Sequence, residues 1–175
     1  VILRLLHAGS RPSGPLDAAA EDYRRRLNRH QRADELFVKP VKLRDDAPAL
    51  VARALETEGE RLLAALKARD RLVALVVQGV GAGRGRRGRP GERRAVSWSS
   101  EDLARRLEAW RGSGATAVCF ALGSAHGLAP AVIARAAERW SFGPLTLPHD
   151  LARVVLWEQL YRADAILRGA PYHKA

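Results

Sequence analysis

Apolar residues follow two rhythms along this chain. Residues 1–8 (VILRLLHA), 34–41 (DELFVKPV), 71–79 (RLVALVVQG), 115–122 (ATAVCFAL) and 141–147 (SFGPLTL) are short, apolar-rich runs with the length of strands. Between them lie 16–29, 48–68, 99–111, 129–139 and 150–168, whose patterns predict helices. The clearest is 48–68, where Leu50, Ala54, Leu55, Leu62, Leu63 and Leu66 recur at helical spacing with charges between them. The run 71–79 is continuously apolar, as a strand covered on both faces requires. Pro40 cannot donate to a ladder, which puts the second strand near an edge. Ser99 to Asp102 is an N-cap signal, Pro148 a helix-entry residue, Asp150 an N-cap candidate and Gly169 a stop. Strand and helix alternate about five times. That order predicts an α/β fold, a mostly parallel sheet with helices on both faces, in one domain over 1–175.

Composition agrees with one such domain: 175 residues, 47% hydrophobic, 28% charged. No apolar stretch reaches the roughly 18 residues of a membrane span. The opening segment has no basic run before its apolar residues, so no signal peptide is expected. The single Cys119 rules out an intramolecular disulfide and a cysteine-built zinc site, and fits a reducing, cytoplasmic setting. Charge alters the picture more. The balance is +11, and arginine dominates it. A GC-rich genome spells basic residues as arginine; a polyanionic partner, above all nucleic acid, selects for them. Residues 79–98 alone carry six arginines and one glutamate, a net +5, among glycines and prolines that deny them regular structure. Helix 16–29 adds a basic face from Arg24, Arg25, Arg26 and Arg29.

Open parallel sheets bind ligands beyond the carboxyl ends of their strands. Three such ends stand out here: Leu75–Gly79, Leu122–Gly127 and Leu145–His149. Several common sites are missing. No GxxxxGK[ST] occurs, and in GVGAGRG the third glycine of a dinucleotide fingerprint is Arg84. The five histidines show no metal-ligand spacing, so no metal is expected. In LGSAHGLAP (122–130), Gly123 and Gly127 allow close backbone approach, although a plain strand-to-helix turn accounts for them equally. His126 reads as a surface loop residue. Trp157, Leu160, Tyr161 and Ile166 read as core or subunit contacts rather than base-stacking groups.

Taken together, LTLPHDLARVVLWEQLYRA, the tail PYHKA and LGSAHGLAP upstream resemble the SPOUT methyltransferases. The nearest branch is the H-type ribosomal large-subunit RNA methyltransferase family, and the last 35 residues carry the most specific part of the likeness. The resemblance implies a C-terminal trefoil knot over about 115–175, S-adenosylmethionine as cofactor, and a tight homodimer. It implies methylation of N3 of a pseudouridine in an intersubunit stem-loop of 23S rRNA, on the assembled ribosome. It makes Gly143, Pro144, Leu145, Thr146, Leu147 and Pro148 the loop that holds adenine, with Leu75, Gly123 and Ser124 closing over the rest of the cofactor. The chain also departs from the family. The usual Gly-Gly-Pro-Glu-Gly loop reads Gly123-Ser124-Ala125-His126-Gly127 here, an acidic position after the third strand is Val76, and the arginine-rich loop is longer.

N3 of a uracil-like ring is a weakly acidic imide, so methyl transfer needs help with its proton. Position alone makes the tail a frayed end. With the resemblance, His173 becomes the candidate for proton removal, and Tyr172 and Arg162 the candidates for orienting the base. Arg24, Arg25, Arg84, Arg86, Arg87 and Arg89 are then expected on rRNA phosphates. Two rival readings use the same fold: an RNA-binding protein without catalysis, favoured by the altered 123–127 loop, and a methyltransferase acting on tRNA.

Overall fold

A computed structural model describes residues 1–10, 12–77 and 95–174, with the backbone alone at 173 and 174. Five strands and five helices alternate: β1 (Ile2–Ala8), α1 (Pro15–Asn28), β2 (Ala33–Val38), α2 (Pro48–Ala64), β3 (Arg71–Leu75), α3 (Ser100–Gly112), β4 (Ala117–Leu122), α4 (Pro130–Arg135), β5 (Glu138–Trp140) and α5 (His149–Leu167). A 3₁₀ turn, Pro171–Lys174, follows. The strands form one sheet in the order β2-β1-β4-β3-β5, and each neighbouring pair is parallel. Their carboxyl ends therefore share one edge. β2 ends at Val38, two residues before Pro40, and lies at the sheet margin as the proline required.

Strand parity divides the core. Leu3, Leu5, Val73, Leu75, Val118, Phe120 and Leu122 face a layer built from α1, α3 and α5. Leu6, Ala8, Leu72, Ala74, Cys119 and Ala121 face the residues of α2 and α4. The first layer is bulky, with Trp110, Trp140, Trp157 and Leu160 all buried; the second is rich in alanine. β4, central in the sheet, is buried at every position. α3 starts with a capping box in which Ser99 and Asp102 satisfy each other's backbone amides. α5 ends at Gly169, whose φ of 64° only glycine adopts cheaply.

Four expectations fail here. The fifth strand is Glu138–Trp140, not 141–147. It pairs with β3 at Val73↔Glu138, Ala74↔Arg139 and Leu75↔Trp140, and the apolar run after it is irregular. Gly143 at φ 114° and the donor-free Pro144 break the ladder there. Helix α4 correspondingly stops at Arg135, because Glu138–Trp140 serve the sheet. Asp150 is not the N-cap; Pro148 holds that place with no side-chain cap, and Asp150 lies in the first helical turn. The tail is not frayed either: its 3₁₀ turn packs on α5, with Tyr172 edge-on to Tyr161 at 4.7 Å.

α5 is fastened to the rest by buried ions. Arg153, 2% exposed, meets Glu35 of β2 through two bonds of 2.8 and 2.7 Å and Asp17 of α1 at 2.7 Å. Glu35 also accepts from the indole N–H of Trp157. Further along, Asp164 accepts from Arg111 of α3 at 2.6 Å and from Arg168 at 2.7 Å. Such a cluster holds only because each buried charge has its partner.

Candidate functional site

The sheet order places the ends of β4, β3 and β5 side by side. Leu75 to Val77 at the end of β3, the turn after Leu122 and the segment after Trp140 form the candidate site. Leu75 is nearly buried at the end of β3, and the amide of Val76 donates to the carbonyl of Trp140 at 2.9 Å. On the outer side of β5, Val96 N donates to Arg139 O and Ser141 N donates to Val96 O, each at 3.0 Å. Val76 and Val96 are thus both bonded to residues at the end of β5. Arg84, Arg86, Arg87 and Arg89, between them in the sequence, lie outside the described residues.

After β4 the chain turns back sharply. Gly127 N donates to Ser124 O at 2.9 Å, and a Cβ on Gly123 would lie 2.1 Å from the Gly127 carbonyl oxygen. Only glycine fits there. His126 projects from this turn to within 3.5 Å of the exposed Asp46. The turn therefore tolerates Ser124 and His126 while depending on Gly123 and Gly127.

The loop from Ser141 to Pro148 supplies the third wall. Ser141 Oγ donates to Gly143 O at 2.9 Å and accepts from Gly143 N at 3.2 Å, which fixes the loop's first bend. Beyond it, no hydrogen bond among the described residues engages the peptide groups of Leu145, Thr146 and Leu147. Leu145 is 71% exposed, the most exposed large apolar side chain among the described residues. Free peptide donors and acceptors beside open apolar side chains suit the edge and faces of a purine. By that donor set, the residues present fit the adenosine half of S-adenosylmethionine.

His149, the first residue of α5, closes this loop, and it stacks on His7 at the end of β1 with ring centroids 3.9 Å apart. Burial, with lesser contributions from His149 and Arg153, pushes His7 down to about 3. His149 is also lowered by burial, against opposing contributions from Asp150 and from a bond to the Gly123 backbone. Both rings are neutral at neutral pH. Pattern reading did not find this pair; the available signal was a histidine at a strand position of core parity.

The other candidates lie elsewhere. The Tyr172 hydroxyl donates to Glu158 at 3.2 Å and lies within hydrogen-bond distance of the Tyr23 hydroxyl at 3.3 Å, and Arg162 stands 4.8 Å over its ring. Burial, the Tyr23 bond and the Glu158 charge raise the Tyr172 phenol above its ordinary value. Arg162 is bound to Glu158 at 2.7 Å. This cluster is remote from the loops: Arg162 is thirteen residues beyond His149 on one helix, about 20 Å at 1.5 Å per residue. The two α1 arginines also differ. Arg24 is bidentate to Glu21 and donates to Ala33 O, whereas Arg25 has only a 3.8 Å contact with Asp22 and is 67% exposed. Among the described residues no cluster of three metal-ligating side chains occurs, and no helix is long and apolar enough to cross a membrane.

The family described as "Predicted SPOUT methyltransferase" matches residues 92–173, the span that holds two of the three loops. Among curated proteins, "Ribosomal RNA large subunit methyltransferase H" of Pseudomonas fluorescens is 42% identical over 172 residues, covering 98% of this chain and 99% of that one. The protein of the same name from Azotobacter vinelandii is 41% identical with equal coverage. Among solved structures, a probable methylase family protein from Haemophilus influenzae aligns with TM-score 0.53 and 13% identity over 97% of this chain and 69% of its own, a likeness of fold. With identity at this level over nearly the whole of both chains, the chain belongs to the ribosomal RNA large subunit methyltransferase H family of SPOUT methyltransferases.

Proposed function

We propose that this protein transfers a methyl group from S-adenosylmethionine to N3 of a pseudouridine in 23S rRNA of the assembled ribosome, working in the cytoplasm as a homodimer. The observation that carries the reading is the loop at 143–148, with its free peptide groups and exposed Leu145, set beside the Gly123 turn. When bound, the cofactor supplies an electrophilic methyl group on a sulfonium.

The chain's own residues have three tasks. The peptide groups of Leu145, Thr146 and Leu147 hold the adenine edge, and Gly143, Pro144 and Pro148 shape the loop that presents them. Leu75, Gly123 and Ser124 bound the remainder of the cofactor and exclude water. Threading of this loop as a trefoil knot belongs to the same reading. His173 accepts the imide proton, and Tyr172 and Arg162 orient the base. Since Arg162 lies about 20 Å along α5 from His149, the second protomer brings its Tyr172 and Arg162 cluster to the first protomer's loops. Arg25 and Arg84, Arg86, Arg87 and Arg89 meet rRNA phosphates; Arg24 joins them only by exchanging Glu21 for a phosphate.

The test is transfer of a radioactive methyl group from S-adenosylmethionine to intact ribosomes, free large subunits and tRNA, with wild-type protein and His173→Ala. Label in 23S rRNA of intact ribosomes, reduced at least about tenfold by the substitution, is expected. Label confined to tRNA, or none on any RNA, overturns the substrate. Unchanged turnover by His173→Ala removes that residue from proton transfer.

A further inference from the structure

Helices α1 to α4 return to the sheet at the edge opposite the candidate site, because all five strands are parallel. The return connections 29–32, 65–70, 112–116 and 136–137 carry Arg29, His30, Arg32, Lys67 and Arg69, all exposed, and one carboxylate, Asp70. Asp70 is 5% exposed and accepts from the Lys67 amide at 3.0 Å. Nearby carboxylates are also taken: Asp34 by Arg4 at 2.6 Å, and Asp164 by Arg111 and Arg168. In these connections negative charge is buried, and positive charge faces solvent.

A helix C-terminus favours a cation within its last turn. That accounts for Arg29, the C-cap of α1, and for Arg111 and Arg168 at the ends of α3 and α5. It does not account for Arg32, Lys67 and Arg69, which lie beyond the last residue of α1 or α2 by three to five positions. Arg29, Arg32 and Lys67 have no ion pair among the described residues. Arg69 is held in place: its Nη2 donates to Gly114 O at 2.5 Å, and a carbonyl leaves its charge in full. Arg32 sits on a fixed backbone, its carbonyl accepting from Leu3 N at 2.9 Å. The sheet order puts the entries to β2 and β3 three strand spacings apart, about 14 Å. A row of that length suits the backbone of a polyanion rather than one small anion. The exposed large apolar residues among those described, Leu16, Leu36, Leu50, Val96 and Leu145, all lie outside these connections, so a lipid surface would find no anchor there.

This edge also lies toward the Tyr172 cluster. The Tyr172 hydroxyl meets that of Tyr23 at 3.3 Å, and Tyr23 precedes Arg29 along α1 by six residues, about 9 Å at 1.5 Å per residue. We propose that the amino-terminal edge of the sheet, with Arg29, Arg32, Lys67 and Arg69, is a docking surface for the rRNA backbone. It holds the strand beside Tyr172 and Arg162 while the partner protomer's loops supply the methyl group. The assignment rests on the function proposed above. It adds a surface, opposite the cofactor loops, that sets ribosome affinity and not the rate of the chemical step.

Co-sedimentation with intact ribosomes at several salt concentrations, together with KM and kcat, tests it on wild-type protein and two triple variants. One is Arg29→Ser/Arg32→Ser/Lys67→Ser. The other, Lys39→Ser/Lys42→Ser/Arg44→Ser, removes the same charge from exposed positions after β2, at the opposite edge. The first is expected to bind ribosomes at least about tenfold more weakly at about 0.1 M salt, with a salt slope shallower by about 2–3. Its KM for ribosomes rises accordingly, while kcat and the affinity for S-adenosylhomocysteine stay within about twofold of wild type. Equal losses in the two triple variants show an effect of net charge and overturn the proposal, as does unaltered binding by the first. Acetylation of lysines in wild-type protein, read by mass spectrometry, is a second readout that needs no variant to fold: ribosomes are expected to protect Lys67, and an unprotected Lys67 overturns the proposal. Methyl transfer to 23S rRNA with normal binding by the first variant removes this surface and leaves the function. Protection of Lys67 without methyl transfer leaves the surface and removes the function. Binding to phosphatidylglycerol vesicles that the first variant loses, with its ribosome binding intact, gives the edge to a membrane and overturns the proposal.

Discussion

The start of α5 and its body are built on opposite terms. The body is locked: Arg153 is buried with Glu35 and Asp17, Asp164 is buried with Arg111 and Arg168, and Trp157 and Leu160 are fully covered. The start has no side-chain cap, two neutral histidines, and before it a loop with free peptide groups and an open leucine. The difference teaches where polar groups are spent. In the body the buried charges of Arg153 and Asp164 are satisfied inside the chain. At the start the chain withholds partners from its own backbone, and a rigid beam behind it keeps that open loop from collapsing.

The largest break in this comparison comes from the body. Arg153→Met leaves Glu35, 6% exposed at its side chain, with an uncompensated charge beside Asp17. Urea denaturation should show a loss of about 3–5 kcal/mol, while the folded variant still binds S-adenosylhomocysteine within about threefold of wild type. Equal stability would mean that α5 is held by its apolar face alone.

Gly123→Ala should show the reverse profile. Its Cβ meets the Gly127 carbonyl at 2.1 Å, so the turn must open. Stability falls by only about 2 kcal/mol, but cofactor binding falls about a hundredfold, beyond what the stability loss explains. Calorimetry on the folded variant checks this; near-normal binding would detach the turn from the site.

The smallest effect is a slope. His7 sits at about 3 when folded against an ordinary 6.5, because burial above all, and His149 and Arg153 to a lesser extent, oppose its protonation. The unfolded chain takes up a proton between those values that the folded chain refuses. Stability is therefore full above pH 6.5 and declines as pH falls toward 3, by about 1.4 kcal/mol per pH unit from this group. Urea midpoints at pH 7, 6 and 5 should fall less steeply in His7→Phe; parallel slopes would show that His7 does not resist charging.

The sheet and helix order could be read from the pattern because burial on one or both faces writes itself into neighbouring residues. β4, the Ser99–Asp102 box, the Gly169 stop and the marginal position of β2 all followed from segments of ten residues or fewer. The last strand did not. Residues 141–147 are the apolar run, while Glu138–Trp140 carry two charges in three residues, and the choice belongs to β3, which pairs with Glu138, Arg139 and Trp140. The glycine turn and the LTLPH loop were legible as candidate cofactor residues. That Tyr172 and Arg162 stand well apart from them in one chain was not, since it depends on the length of α5.

Taken alone, the sequence determined the layered α/β architecture, the family and the segments that meet at the sheet's carboxyl edge. Tertiary structure decided which charges are spent and which are free: Arg24 is occupied by Glu21 while Arg25 is open, and Arg153 disappears between residues 118 and 136 positions away. It also decided that a histidine of the first strand would meet one at the start of the last helix, 142 positions on. Hydrophobic periodicity is a local record of burial and survives in a short window. The pairing of polar groups depends on distances through space, which no window of sequence contains.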